Sequence, residues 1–119
     1  MINMTLISKN VTLCNTLFSK GTGLMLTRKR DDFAYVFTFS RPRKILITMF
    51  LVFYPIDLIF LDKQGVIVDL KGNLKPFKNY ASKVKSNIVI ELPKGTIEKY
   101  FLEKGVKIDW NSEEVISNF

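Results

Sequence analysis

Short apolar stretches separated by turn-forming residues follow one another along the chain. The first two are Met4–Ser8 and Val11–Cys14, and the Lys9-Asn10 pair between them predicts a turn from which the second strand returns beside the first. From Phe33 to Phe39 aromatic residues occupy every second position, and the positions between them are also mostly apolar. A strand that is apolar on both faces is buried on both faces, so we expect this one in the centre of a sheet.

The clearest local feature is the segment Ile56–Lys71, in which two apolar stretches flank the sequence Asp-Lys-Gln-Gly. Gly65 can adopt the left-handed backbone conformation that closes a type I turn with a bulge. Asp62 stands where a side chain can accept hydrogen bonds from the backbone of the turn. The segment therefore predicts a β-hairpin in which Asp62 pairs with Val66.

The register of this hairpin follows by counting outward from the turn. Phe60 would lie opposite Val68 on the core face, whereas Asp57 would lie opposite Lys71 on the other face. The register predicts a cross-strand ion pair between Asp57 and Lys71, which contributes about 0.2–1 kcal/mol. It also predicts that Asp69 faces solvent.

The most apolar part of the chain is Ile45–Leu61, and it resembles a membrane span at first sight. A spanning helix needs roughly 20 predominantly apolar residues. Pro55 interrupts helical hydrogen bonding, and Asp57 would cost about 2.5–3.5 kcal/mol near the centre of a bilayer. We therefore expect two buried strands, Ile45–Phe53 and a second from Ile56, rather than a transmembrane helix.

The remaining elements are short. Further strands are predicted at Asn87–Leu92 and Val106–Ile108, and short helices from Asn15 or Thr16 to Lys20 and from Thr96, with Ile97, Tyr100 and Phe101 as its apolar stripe and Gly105 after it. Residues 111–119 are predicted to be a tail or a frayed helical turn. The pattern indicates one mainly β domain over residues 1–119, a β-sandwich or barrel with two or three short helices.

Composition restricts the chemistry. The chain has 119 residues, 47% of them apolar, with a formal charge of +7, one cysteine and no histidine. These counts exclude a Ser-His-Asp or Cys-His relay, a histidine or multi-cysteine zinc site and an intrachain disulfide. We expect no metal and no cofactor. The N-terminal residues lack the basic and apolar regions of a secretory signal, so we expect a cytoplasmic protein.

The basic charge is uneven. A second-half cluster runs from Lys71 to Lys85 without an acidic residue, and Phe77 and Tyr80 lie within it. Basic side chains interleaved with aromatic ones are typical of proteins that bind single-stranded nucleic acid. A solvated loop whose aromatic residues pack inward is the alternative.

Three segments resemble a known family. They are GLM at Gly23–Met25, YPIDLIFLDKQGVIV at Tyr54–Val68 and VIELPKGTIEKYFLEKGVKI at Val89–Ile108. In this order and spacing they resemble the family known as domain of unknown function 192, over about residues 4–108. The resemblance implies a compact, mainly β domain of sandwich or barrel type and implies no activity.

The chain departs from that family at one place. Many bacterial members carry a polar stretch, W-M-K-N-T, where this chain has Thr48–Val52, and only Met49 matches. If the polar stretch lines a pocket in relatives, this protein has lost most of those groups.

Three functional hypotheses follow. The first is a non-enzymatic module that binds a small molecule or peptide in a cleft beside Asp57 and the basic loop 28–30. The alternative is a basic protein that binds single-stranded nucleic acid, and the third is a metal-independent hydrolase that uses Asp57, the one weak catalytic candidate. The candidate binding residues are Asp57, Lys71, Arg28, Lys75, Phe77, Lys78 and Tyr80.

Overall fold

Strands dominate the structure, a computed structural model that describes residues 4–14 and 31–118. This confirms the mainly β prediction. The strands are β1 (Met4–Ser8), β2 (Val11–Cys14), β3 (Ala34–Arg43), β4 (Leu46–Thr48), β5 (Ile56–Leu61), β6 (Ile67–Leu74), β7 (Asn79–Ala81), β8 (Ser86–Pro93), β9 (Lys107–Trp110) and β10 (Val115–Asn118).

The described residues contain one short helix, α1 (Thr96–Lys99), so the expectation of two or three helices is not supported there. The helix predicted between Asn15 and Lys20 lies outside the described residues. Gly95 occupies the N-cap position of α1, so the helix begins at Thr96 as predicted. Of the predicted apolar stripe, Ile97 and Tyr100 do pack on the core, but Phe101 is 80% exposed.

Five strands form the largest sheet, in the order β2-β3-β8-β5-β6. The alternating aromatic strand β3 lies inside this sheet, as predicted. The predicted β1–β2 hairpin is wrong, because β2 runs parallel to β3 and β1 pairs with β10. The Lys9-Asn10 turn carries the chain from one sheet to another. The Ala34 N–H donates to the Asn10 carbonyl there (2.8 Å).

The end of the chain belongs to the fold. A three-stranded sheet has the order β1-β10-β9, so β10 is its central strand. The Asn111 side-chain oxygen accepts hydrogen bonds from the N–H groups of Glu113 and Glu114 and closes the turn between β9 and β10. The prediction of a tail or frayed helical turn over 111–119 is therefore corrected. Val115 has no exposed surface.

Two hydrophobic clusters lie on the two faces of the five-stranded sheet. The first includes Val36, Ile59 and Ile90, and β1, β9 and β10 cover it. The second includes Phe37, Leu58 and Phe60, together with Met49 from the segment after β4. The odd-numbered residues of β3 thus face one cluster and its even-numbered residues the other, as the alternation predicts.

The β5–β6 hairpin has the predicted turn but a different register. The Asp62 Oδ1 accepts the N–H groups of Gln64 (2.9 Å) and Val66 (3.0 Å), and Gly65 has the left-handed φ of +87°. A β-bulge then shifts the pairing, so that Phe60 lies opposite Asp69.

Further along, Leu58 lies opposite Lys71, so the predicted Asp57–Lys71 pairing is wrong. A bulge adds one unpaired residue to a strand, and alternation of apolar residues does not reveal where it falls.

The apolar segment 45–61 does form two strands, but the first is short. β4 spans only three residues and pairs with β7. Leu46, Phe50 and Phe53 are 66%, 57% and 60% exposed, so the expected buried strand Ile45–Phe53 is corrected to a short strand and an exposed turn. Within residues 4–14 and 31–118, no helix has the length and apolarity needed to cross a membrane.

Candidate functional site

Asp57 is a buried structural carboxylate, 2% exposed. Its Oδ1 accepts the N–H of Asn73 (2.9 Å) and its Oδ2 accepts the N–H of Ile97 (2.9 Å). It therefore joins β5 to the end of β6 and to the first turn of α1. Both oxygens are engaged with the backbone, and this leaves Asp57 a positioning role in the fold.

Asp69 performs a similar task on the opposite face of the sheet. Its Oδ2 accepts the Tyr80 hydroxyl (2.9 Å) and the Lys83 N–H (2.8 Å), which attaches β6 to β7 and the chain after it. Asp69 is 3% exposed rather than solvated, so that expectation is corrected. Since the sheet separates Asp57 from Asp69, these two acids do not form the pair that a carboxylate hydrolase needs.

Tyr80 is engaged in the same cluster. Its ring packs against Phe60, with centroids 5.7 Å apart. Burial, followed by the hydrogen bond to Asp69 and its negative charge, raises the pKa of Tyr80 to about 12. The ring is therefore held against the core and is not a free stacking surface.

The other predicted binding residues are dispersed. Lys71 is half-buried on β6, whereas Lys75 and Lys78 are exposed around the turn before β7. Phe77 in that turn is 54% exposed and meets Phe53 edge to face, with ring centroids 5.3 Å apart. Arg28 lies outside the described residues.

A cavity of about 400 Å³ lies at the end of β3. Its described lining is the five-residue stretch from Phe39 to Arg43, which includes Arg41. The Arg43 guanidinium carbon lies 5.4 Å from the centroid of the Phe39 ring, within cation–π range. The cavity therefore combines an aromatic surface with two guanidinium groups.

Basic residues are concentrated in two segments of the chain. Residues 40–56 and 75–86 comprise the end of β3, β4, β7, the first residues of β5 and β8, and the turns between these elements, and we call them the basic ribbon. They contain seven basic residues and no acidic residue, whereas the whole chain has a net charge of +7. The basic residues are Arg41, Arg43, Lys44, Lys75, Lys78, Lys83 and Lys85.

A second, smaller cavity of about 180 Å³ lies near the start of α1. Its described lining mixes Asp31 and Asp32 with Lys94 and Lys99. This mixture gives no net preference for an anion or a cation, and the volume is below the usual 300–1,000 Å³ range of ligand pockets.

Glu91 is a buried acid that the sequence analysis did not single out. It lies on β8 between Tyr35 of β3 and Leu58 of β5, and its Oε1 has no hydrogen-bond partner. Burial raises the pKa of Glu91 to about 8, so the group is mainly protonated at neutral pH. The pKa of Cys14 is raised by burial and by the charge of Glu91. Glu91 lies two residues after Val89 on β8, so the two side chains point to the same face of the sheet. Because both faces of this strand are buried, an acid at that position must face the core.

No metal site forms in the described part of the chain, where no three His, Cys, Asp or Glu side chains come together. The buried carboxyl groups of Asp57, Asp69 and Glu91 are instead distributed over both faces of the sheet.

The chain belongs to the family known as domain of unknown function 192, described as an uncharacterised group of proteins, whose model matches residues 2–110. A protein of the uncharacterised family UPF0127 from Thermococcus sibiricus is 37% identical over 106 residues, covering 87% of this chain and 68% of its own length. A UPF0127 protein of Pyrococcus horikoshii is 30% identical over 100 residues, covering 84% of this chain and 86% of its own.

Two solved structures share the fold. A protein of unknown function from Novosphingobium aromaticivorans has a TM-score of 0.77 at 21% identity, over 84% of this chain and 74% of its own. A proposed transcription regulator from Sinorhizobium meliloti has a TM-score of 0.76 at 22% identity, over 91% and 80%. At these identities the likeness is one of fold. The family resemblance seen in the sequence is confirmed.

Proposed function

We propose that this protein is a non-enzymatic module that binds a small anionic molecule in the cavity at the end of β3. The observation that carries the proposal is the cavity itself, with Arg41 and Arg43 in its lining. Its volume of about 400 Å³ lies within the usual range for ligand pockets.

The chemistry of the lining favours a carboxylate or a phosphate. A guanidinium presents parallel N–H donors that match two oxygens of such a group. Phe39 offers an apolar surface beside them, which suits an anion that also carries a ring or hydrocarbon part. Lys44 follows the two arginines in the chain and residues 40–56 contain no acidic residue, so the local charge attracts anions.

This proposal places the ligand away from Asp57. The carboxylate of Asp57 accepts backbone N–H groups, and a hydrolase that depends on it would first have to break those bonds. The contacts of Tyr80 with Asp69 and Phe60 likewise weigh against the nucleic-acid alternative, which needs Tyr80 as a stacking ring.

The test is calorimetric titration with inorganic phosphate, benzoate and phenyl phosphate. We expect phenyl phosphate to bind more tightly than inorganic phosphate because Phe39 can contact the ring. Arg43→Lys keeps the charge but removes the planar pair of donors, so binding should weaken by about tenfold or more.

The matched control compares two variants that each lose one positive charge, one inside the proposed site and one outside it. Arg43→Gln should abolish saturable binding, whereas Lys107→Gln, an exposed change on β9, should leave it unchanged. Equal effects of the two substitutions would mean that only net charge attracts the anion, and the proposed site would be wrong.

For the finer architecture we favour the barrel over the sandwich. A bridge between Val66 and Lys107 joins the edge of the five-stranded sheet to the three-stranded one, and β1 leads directly into β2 at the other side. The first hydrophobic cluster then fills the interior of a partly closed barrel.

A further inference from the structure

The basic ribbon ends in an exposed group of aromatic side chains, which we call the aromatic tip: Phe50, Phe53 and Phe77. Each is more than half exposed. We propose that the aromatic tip and the lysines around it dock on the surface of an anionic lipid bilayer. The proposal is independent of the anion cavity, since none of the three rings lines it.

Backbone hydrogen bonds hold the tip together. The Met49 carbonyl accepts the N–H groups of Val52 and Phe77 (both 3.1 Å), and the Met49 N–H donates to the Lys78 carbonyl (2.9 Å). These bonds join the turn after β4 to the turn before β7, two segments that are distant in sequence, at the end of the basic ribbon. The side chain of Met49 is fully buried and anchors them to the second hydrophobic cluster.

Each of the two turns contains a residue with an unusual backbone conformation. Leu51 and Phe77 have left-handed φ values of 57° and 63°, which bulky residues adopt only where the surroundings impose them. Phe77 is directed to the surface, where it meets Phe53 at 5.3 Å. Exposed large apolar side chains that are held by buried structure mark an interaction surface.

The surrounding charge is complementary to an anionic surface. Lys75 and Lys78 are exposed on either side of Phe77, and the basic ribbon behind them has no acidic residue. Aromatic rings suit the boundary between headgroups and acyl chains, and lysines near them are attracted to anionic lipids.

A bilayer fits this surface better than a nucleic-acid strand. Stacking of bases needs accessible ring faces along a groove. Here Phe53 and Phe77 pack against each other, Tyr80 is engaged by Asp69, and an aliphatic side chain, Leu46, is also exposed on the ribbon. An acyl layer accepts aliphatic and aromatic side chains alike, whereas an aliphatic side chain offers no ring face for a base.

The experiment is co-flotation of the full chain with vesicles of phosphatidylcholine, with and without about 30% phosphatidylglycerol, at about 0.15 M salt. We expect binding to the anionic vesicles only. Phe77→Asn should lower the vesicle partition coefficient at least about tenfold, because it removes a ring from the acyl boundary. Lys75→Gln with Lys78→Gln should lower it about fivefold per charge.

The chain contains a matched control for each variant. Phe101 is 80% exposed with a left-handed φ of 53°, so Phe101→Asn makes the same change at a comparable backbone position outside the tip. Lys104→Gln with Lys107→Gln removes the same charge elsewhere. Both controls should bind vesicles as the wild type does, and equal losses in tip and control variants would overturn the proposal.

A gain of signal keeps the test valid if a tip variant is unstable. In Phe50→Trp, fluorescence from the new tryptophan should be quenched by brominated lipid in anionic vesicles, while the native Trp110 of the wild type should not be quenched. Absence of quenching would overturn the proposal. So would binding of a fluorescent single-stranded oligonucleotide that Phe77→Asn weakens and anionic vesicles do not compete for.

Discussion

Three buried acids show how the neighbours of a residue decide its role. Asp57 and Asp69 each accept N–H groups from the backbone, which compensates the loss of water around a carboxylate. Glu91 on the adjoining strand has one carboxyl oxygen without any partner. The first two therefore hold elements together, whereas Glu91 remains in the core by retaining its proton.

Protonation of Glu91 predicts an unusual dependence of stability on pH. Burial raises its pKa from 4.5 to about 8, so the folded protein binds a proton that the unfolded chain releases between these values. The stability that this proton supplies is complete below pH 4.5 and is lost as pH rises towards 8, with a slope of up to about 1.4 kcal/mol per pH unit. The chain has no histidine to obscure this slope.

The check is urea unfolding from pH 5 to 8 for the wild type and Glu91→Gln. The amide remains neutral at every pH, so the variant should lose most of the slope and exceed the wild type in stability at pH 8. A slope that persists in Glu91→Gln would mean that another group takes up the proton.

Asp57→Asn tests the positioning role at the same scale. Asparagine retains one acceptor oxygen and directs an NH₂ group towards a backbone N–H, so we expect a loss of about 1–3 kcal/mol in the free energy of unfolding. Asp31→Asn, at an exposed position, should change it little. An equally small loss at Asp57 would contradict its positioning role.

At the scale of elements, the β5–β6 turn depends on close contact with β9. A Cβ atom on Gly65 would lie 2.5 Å from the Ile108 carbonyl oxygen, whereas one on Gly105 would meet nothing within 4 Å. Both glycines have left-handed φ values, 87° and 97°. The two positions thus share the backbone requirement and differ in the available space.

We expect Gly65→Ala to cost about 1–3 kcal/mol more than Gly105→Ala, because only the former forces β6 away from β9. Thermal or urea unfolding of the two variants measures the difference. Equal losses would show that the left-handed backbone, not the contact with Ile108, makes glycine necessary at position 65.

At the scale of the whole molecule, the last strand completes the three-stranded sheet. β10 lies between β1 and β9, and the fully buried Val115 belongs to the first hydrophobic cluster. A chain that ends at Asn111 would leave β1 without its partner and open that cluster to water. We expect this truncated chain to lose cooperative urea unfolding, whereas the untruncated 119-residue chain carrying only Glu113→Ala should retain it. A truncated chain of unchanged stability would restore the interpretation of residues 111–119 as a tail.

The sequence by itself predicted elements whose causes are local. β1, β2, β8 and the alternation of β3 follow from apolar periodicity, and the turn at Asp62 and Gly65 follows from side-chain hydrogen bonding and a left-handed glycine. The family also follows from motifs of contiguous residues. Each of these depends on neighbours within a few positions, so the residue order contains the necessary information.

The tertiary structure alone decided which distant segments meet. The bulge opposite Phe60, the parallel pairing of β2, the two N–H donors of Asp57 and the exposure of Phe50 and Phe53 all depend on residues far away in the chain. Pairing of strands is a competition among many partners of similar apolar pattern, and the free energy of burying whole faces settles it. A stretch as apolar as residues 45–61 can therefore be partly core and partly an exposed surface.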